Sequence, residues 1–297
     1  MPKLSANGIE LAYECFGARS SRPLILIRGL ATQMIHWDPR FCEQLVAAGH
    51  WVVVFDNRDV GLSTHFADRG APLLGNVLQD LAAGRTPDVP YTLRDMADDV
   101  VGLMDVLEID TAHVAGMSMG GMITQELAIA HRDRLRSITS IMSSAGALDP
   151  AGATPEAQAA LLQPSPGERA PYVESILNVQ RSFAGGGFPL DEAGIRELAG
   201  RAFDRAFDPE GVTRQMAAVA ASGDRRAALA AVRVPALVIH GAADPLIPLS
   251  AGEATAAVLA GAKLEVIPGM GHELPEGAWP ALIRALTQHT EAAESAA

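Results

Sequence analysis

Gly116-Met117-Ser118-Met119-Gly120-Gly121 follows a short apolar run, His113 to Ala115, and opens a helical one, Met122 to His131. A strand that turns this abruptly into a helix forces the corner residue into a strained backbone conformation. Side chains on the neighbouring residues would clash there, so the flanking glycines have a mechanical job. The turn lifts Ser118 clear of the sheet and sets its hydroxyl at a helix N-terminus, where partial positive charge favours a developing anion. The bare pattern G-x-S-x-G arises often by chance; the strand before it and the helix after it give it meaning.

A hydroxyl is a poor nucleophile at neutral pH and needs a base, and the base needs a group to orient it. Asp244 lies just past an apolar run, Ala236 to Ile239, in Gly241-Ala242-Ala243-Asp244-Pro245. His272 lies just past a further expected strand, Lys263 to Ile267, in Pro268-Gly269-Met270-Gly271-His272. Residues beyond the carboxyl ends of parallel strands line the ligand crevice of open α/β sheets, so Ser118, Asp244 and His272 are all expected at that edge. Asp149 is the competing acid, because it follows the strand after the nucleophile helix; the Gly-x-x-Asp-Pro turn favours Asp244.

The same alternation of short apolar runs and helical patterns extends along the chain. Leu24 to Ile27, Trp51 to Phe55 and Ser137 to Ile141 complete the clear strands, and together they indicate a mostly parallel sheet covered on both faces. Leu93, Met96, Ala97, Val100, Met104 and Leu107 repeat at helical spacing behind a Thr92–Asp95 capping box. From Gly146 to about Arg233 the strand pattern stops, and helix-like stretches stand around Ala170 to Phe183 and Glu192 to Phe207. The expected organisation is an α/β core over 1–145 and 234–297, with a helical cap, 146–233, inserted after the sixth strand. Gly185-Gly186-Gly187 inside the cap has no strand before it and is expected to be a flexible connection rather than a phosphate loop. Glu291 to Ala297 are expected to fray.

Acidic residues outnumber basic ones 35 to 23 in this chain of 297 residues, a net charge of -12. The surplus is spread along the chain, and such a surface repels nucleic-acid backbones. Residues Met1 to Tyr13 alternate polar and apolar and lack a signal-peptide h-region, and no apolar run of about 18 residues suggests a membrane span. Cys15 and Cys42 form no C-x-x-C, and no His pair has metal-ligand spacing. A cytoplasmic address, no metal and no organic cofactor are the expectations; oligomeric state is not legible.

With these residues in place the chain resembles the α/β-hydrolase family, whose Ser, acid, His order it shares, from about Leu4 to His289. Asp56-Asn57-Arg58-Asp59-Val60-Gly61-Leu62-Ser63 is similar to the family's Asp-x-Arg-Gly-x-Gly-x-Ser loop, and Arg28-Gly29-Leu30 stands where the family usually has His-Gly-x. The resemblance implies an oxyanion hole built from the backbone N–H groups of Leu30 and Met119. It extends to carboxylic esterases, antibiotic methylesterases among them. Arg28 departs from the family pattern, and a charge near the pocket needs a partner; Asp56 and Asp59 are the candidates.

The expected activity is hydrolysis of a small or medium apolar carboxylic ester through an acyl-enzyme on Ser118. Trp37, Phe183 and Arg28 are candidate pocket residues, although Trp37 fits a core aromatic equally well. His36 and His240 are expected to be structural, Met117 and Met122 to pack the core, and Phe203 with Phe207 to form the cap's own packing stripe. Perhydrolysis, lactone opening and carbon–carbon hydrolysis could use the same three residues, and a silent ligand-binding receptor could use the same fold.

Overall fold

Eight strands form one sheet in the order β1-β2-β4-β3-β5-β6-β7-β8 among the residues described by the computed structural model, 1–147 and 152–295. They are β1 (Lys3–Ala6), β2 (Ile9–Phe16), β3 (Arg22–Ile27), β4 (His50–Phe55), β5 (Ala112–Met117), β6 (Leu135–Ile141), β7 (Ala236–Gly241) and β8 (Lys263–Ile267). β1 and β2 pair antiparallel, as do β2 and β4; every other pairing is parallel. The six strands expected from apolar runs are all present. The alternating N-terminus, not resolved into strands by sequence, is the β1–β2 hairpin, turned at Asn7-Gly8 with φ of 48° and 76°.

Alternate strand residues feed two separate cores, which is why the central runs are largely apolar, while the edge strand β8 keeps Lys263 and Glu265 and is mostly exposed. On one face Ile25, Val53, Val114 and Val238 pack with helices α3 (Leu93–Val106) and α4 (Met119–Ala130). On the other, Leu24, Val52, Ala115 and Ile239 meet α1 (Pro39–Ala47) and α11 (Trp279–Ser295). The capping box of α3 is formed, Thr92 and Asp95 each bonding the other's backbone N–H. Residues 291–295 correct part of an expectation, the rest of which, 296 and 297, lies outside the described residues. Glu291 and Glu294 do not fray but sit in α11, paired with Arg22 and Arg136, and Ala293 is buried.

Between β6 and β7 stand α5 (Pro155–Leu162), α6 (Arg169–Phe183), α7 (Glu192–Arg205), α8 (Pro209–Ala221) and the short α9 (Arg226–Leu229). The glycine run after α6 is docked rather than loose. Gly187 N–H bonds the Gly269 carbonyl at 3.0 Å and Gly185 N–H bonds the Glu273 carboxylate at 3.1 Å. A methyl on Gly185 would lie 2.4 Å from the Gly271 nitrogen, so two backbones meet where only glycine fits. No helix among the described residues is long and apolar enough to cross a membrane.

Candidate active site

Strand order fixes where the site lies. β3 sits between β4 and β5, so the chain leaves β3 to one side and later returns on the other, opening a crevice at the carboxyl ends of β3 and β5. Ser118 follows β5 directly, with φ 55° and ψ -120°. Such a conformation costs an ordinary residue about 1–3 kcal/mol and persists only where its surroundings impose it. They do so here: Ser118 N–H bonds the Ile141 carbonyl at 2.8 Å, and the Ser118 carbonyl accepts from Ser143 Oγ at 2.8 Å. A methyl on Gly116 would sit 2.0 Å from the Gly120 carbonyl oxygen, and one on Gly120 would sit 2.2 Å from that of Ile27. The glycines expected for a tight turn are therefore required.

Asp244 and His272 arrive on the ends of β7 and β8. His272 Nδ1 lies 2.8 Å from Asp244 Oδ2, and the backbone N–H groups of Leu246 and Ile247 both donate to Asp244 Oδ1 at 2.9 Å. Every oxygen of this buried carboxylate is thus occupied, which locks its orientation. His272 is held from behind as well, since its backbone N–H bonds the Phe183 carbonyl at 2.8 Å and the Phe183 ring meets the imidazole edge-on, centroids 5.7 Å apart. With Nδ1 engaged by the carboxylate, Nε2 is the ring nitrogen left for chemistry. Ser118 and His272 line one small cavity of about 110 Å³. No hydrogen bond joins Ser118 Oγ to the ring among the described residues. Asp149 lies outside those residues.

The loop after β3 stands against the serine. A methyl on Gly29 would lie 3.1 Å from Ser118 Cβ, a tight contact, so a glycine here gives the Ser118 side chain its room. Asn57 Nδ2 bonds the Arg28 carbonyl at 3.1 Å and Gln215 Oε1 accepts from Ala31 N–H at 3.0 Å, fixing the loop from two sides. Neither Leu30 N–H nor Met119 N–H has an intramolecular acceptor among the described residues. Asn57, Gln215 and Ser143 were not singled out by sequence; nothing in one dimension marks a side chain that merely holds another loop. Glu273 was missed too, although it adjoins His272. Its carboxyl lines the small cavity, and burial raises its pKa.

A larger cavity of about 330 Å³ continues from Leu30 and Phe183 to α5, α6 and α7, walled by Leu161, Ile176, Val179 and Phe207 among others. Phe183 and Arg28 line both cavities. Trp37 lines neither: it is buried in the core against Phe41, with the Arg28 guanidinium 4.9 Å above its ring. Leu177 in α6 is fully buried, whereas Phe203 and Phe207 pack at tilted angles against each other, with Tyr172 tilted on Phe203 and edge-on to Phe207. His240 bonds the Ile247 carbonyl, and His36 bonds the Gln33 carbonyl while facing the larger cavity. Burial, helped by the Arg28 charge, lowers the His36 pKa to about 3.

The pairing expected for Arg28 is wrong. Asp56 receives Arg205 from α7 at 2.6 Å and the N–H groups of Met34 and Leu62. Asp59 receives Arg214 from α8 through both oxygens at 2.9 Å, and the Tyr91 hydroxyl. Both carboxylates are spent on helices distant in sequence, and Arg28 keeps no ion pair among the described residues. Asp59, His65 and Asp208 converge closely enough to hold a cation. Arg214 already bridges Asp59 and Asp208, the latter at 3.0 Å, so the positive charge there is the protein's own.

A sequence profile described as the alpha/beta hydrolase family matches residues 24–285. Rhodomycin D methylesterase DauP of Streptomyces sp. (strain C5) is 29% identical over 314 residues, covering 98% of both chains. The 3-oxoadipate enol-lactonase 2 of Acinetobacter baylyi is 26% identical over 264 residues, covering 89% of this chain and 87% of the other. The crystal structure of the enol-lactonase from Burkholderia xenovorans superposes with a TM-score of 0.70 at 24% identity, covering 99% of this chain and 100% of that one. A serine on a glycine-built corner at the switch point of such a sheet, and a profile spanning most of the sequence, lead to one assignment: the chain belongs to the alpha/beta hydrolase family.

Proposed function

We propose that the protein is a serine ester hydrolase in which Ser118, His272 and Asp244 form the catalytic triad. The observation that carries this is the Asp244–His272 hydrogen bond behind a cavity that His272 shares with Ser118. Ester cleavage also agrees with the relatives, named a methylesterase and an enol-lactonase. Residues 146–233 then act as a cap over the site, and their helices wall the larger cavity.

His272 Nε2 takes the Ser118 proton as Oγ attacks the ester carbonyl. Asp244 fixes the tautomer in which Nε2 is the acceptor and stabilises the imidazolium that forms. The carbonyl oxygen, now an anion, turns toward the Leu30 and Met119 N–H groups, each such donor contributing about 3 kcal/mol in the transition state. His272 next protonates the leaving alcohol. Water then attacks the acyl-serine by the same route, and the acid departs. A lactone would follow these steps with its alcohol still tethered. The apolar walls Leu30, Ile176 and Val179 suit a small or medium acyl chain.

Stopped-flow hydrolysis of p-nitrophenyl esters from acetate to decanoate tests the assignment. An acyl-enzyme predicts a burst of p-nitrophenol, and the apolar cavity predicts a kcat/KM that rises with chain length, by up to about 0.8 kcal/mol per buried methylene until it is full; Ser118→Ala should show neither. Equal turnover in Ser118→Ala would refute it.

A further inference from the structure

Arg28 differs from the other buried arginines of the molecule. Arg58 is spent on Asp99 and Arg214 on Asp59, each through two nitrogens. Arg225 bonds Gln125 and the carbonyls of Gly223 and Ser144. The Arg28 guanidinium is 8% exposed as part of its residue, donates to no protein acceptor among the described residues, and leaves Nε buried without a partner. Its one support is the Trp37 ring, which presses on the guanidinium face and leaves the N–H edge free. Burial lowers its pKa only to about 10, so the charge persists at neutral pH.

The neighbouring acids do not neutralise it. Asp56 and Asp59 are taken by Arg205 and Arg214, and Glu273, across the small cavity, accepts from Gly185 N–H and lies beyond ion-pair reach of Arg28. A buried, oriented, unpaired guanidinium is costly unless something anionic completes it. Arg28 lines both the cavity at Ser118 and the larger one beyond, and its planar fork matches a carboxylate.

We propose that Arg28 is a specificity-determining residue that binds a free carboxylate carried by the substrate, so that the preferred esters are half-esters of dicarboxylic acids or similar acidic esters. This rests on Ser118 being an ester-cleaving nucleophile, and it reverses the expectation of an uncharged substrate, which required Arg28 to be paired.

The test compares monomethyl adipate with methyl hexanoate, which differ by a carboxylate in place of a terminal methyl. The ratio of their kcat/KM values is expected to exceed about 10 in the wild type, to fall at least about tenfold in Arg28→Met and to recover in part in Arg28→Lys. Any loss common to both esters cancels in the ratio. Should Arg28→Met not fold, inhibition of wild-type p-nitrophenyl butyrate hydrolysis decides: adipate must compete at least about tenfold better than 1,6-hexanediol, and less well at high salt. A wild-type ratio below one, a ratio unchanged in Arg28→Met, or adipate no better than the diol would overturn the proposal. If no ester is cleaved, the hydrolase function fails on its own. Calorimetric binding of adipate to wild type and Arg28→Met then still reads the arginine, tighter binding to wild type supporting the role and equal binding ending it.

Discussion

The strand-end shelf that carries Ser118, Asp244 and His272 and the helical wall that faces it are built by different means. On the shelf, positions are set by backbone: glycines at 116 and 120 admit close approaches that a Cβ would forbid, Gly29 sits tight against Ser118, and strand order brings the ends of β3, β5, β7 and β8 to one edge of the sheet. In the wall, positions are set by side chains whose partners lie far away in sequence, such as Arg205 on Asp56 and Arg214 on Asp59. Backbone constraints leave a local signature in the sequence, whereas long-range charge pairing leaves none. The shelf is thus encoded at short range and the wall at long range.

The largest effect that can break this division is on the shelf. Asp244→Asn should keep the fold and lower kcat by about 10³ to 10⁴, because the amide favours the wrong imidazole tautomer, whereas Asp149→Asn should leave activity nearly intact. Steady-state kinetics on both variants decides, and the reverse pattern would move the acid to Asp149. A smaller effect probes the seam between the regions. Gly185→Ala pushes a methyl toward the Gly271 nitrogen and should shift the His272 loop, lowering kcat by about 10² with the fold retained by circular dichroism. Unchanged kcat would mean that the wall does not position the base.

The smallest effect lies away from both regions and separates stability from chemistry. His113 is buried on β5 with Nδ1 bonded to Ser137, and desolvation lowers its pKa from 6.5 to about 3. A neutral buried imidazole costs nothing above pH 6.5. As pH falls below that value the unfolded chain takes a proton that the folded chain refuses, and stability is lost progressively toward pH 3. At pH 5 the loss is about 2 kcal/mol. Urea titrations at pH 7 and pH 5 should therefore show a smaller acid loss in His113→Gln than in the wild type; equal losses would show that His113 is not held neutral.

How much was legible follows the same division. β3, β4, β5 and β7 are readable because strands buried on both faces are largely apolar, whereas β6 and the edge strand β8 carry polar residues and are marked by their β-branched content; β5 extends beyond its apolar run to Ala112 on one side and into the turn at Gly116 and Met117 on the other. The N-terminal hairpin was not resolved although Asn7-Gly8 carries its turn signal, and the last turns of α11 looked solvated because Arg22 and Arg136, which hold them, are far off in sequence. Ser118, Asp244 and His272 stand at the sheet edge where strand order puts them. Asp56 and Asp59, in the loop after β4, are the partners the sequence suggests for Arg28. Only the folded chain reveals that α7 and α8 had claimed them.

The most direct test of Ser118 as the nucleophile is reaction of the native protein with a fluorophosphonate, read by intact mass and peptide mapping. The expected result is one adduct per chain, on the peptide holding Gly116-Met117-Ser118-Met119-Gly120, and none in Ser118→Ala. No adduct on the native protein, or an adduct that persists in Ser118→Ala, would contradict a triad built on this serine.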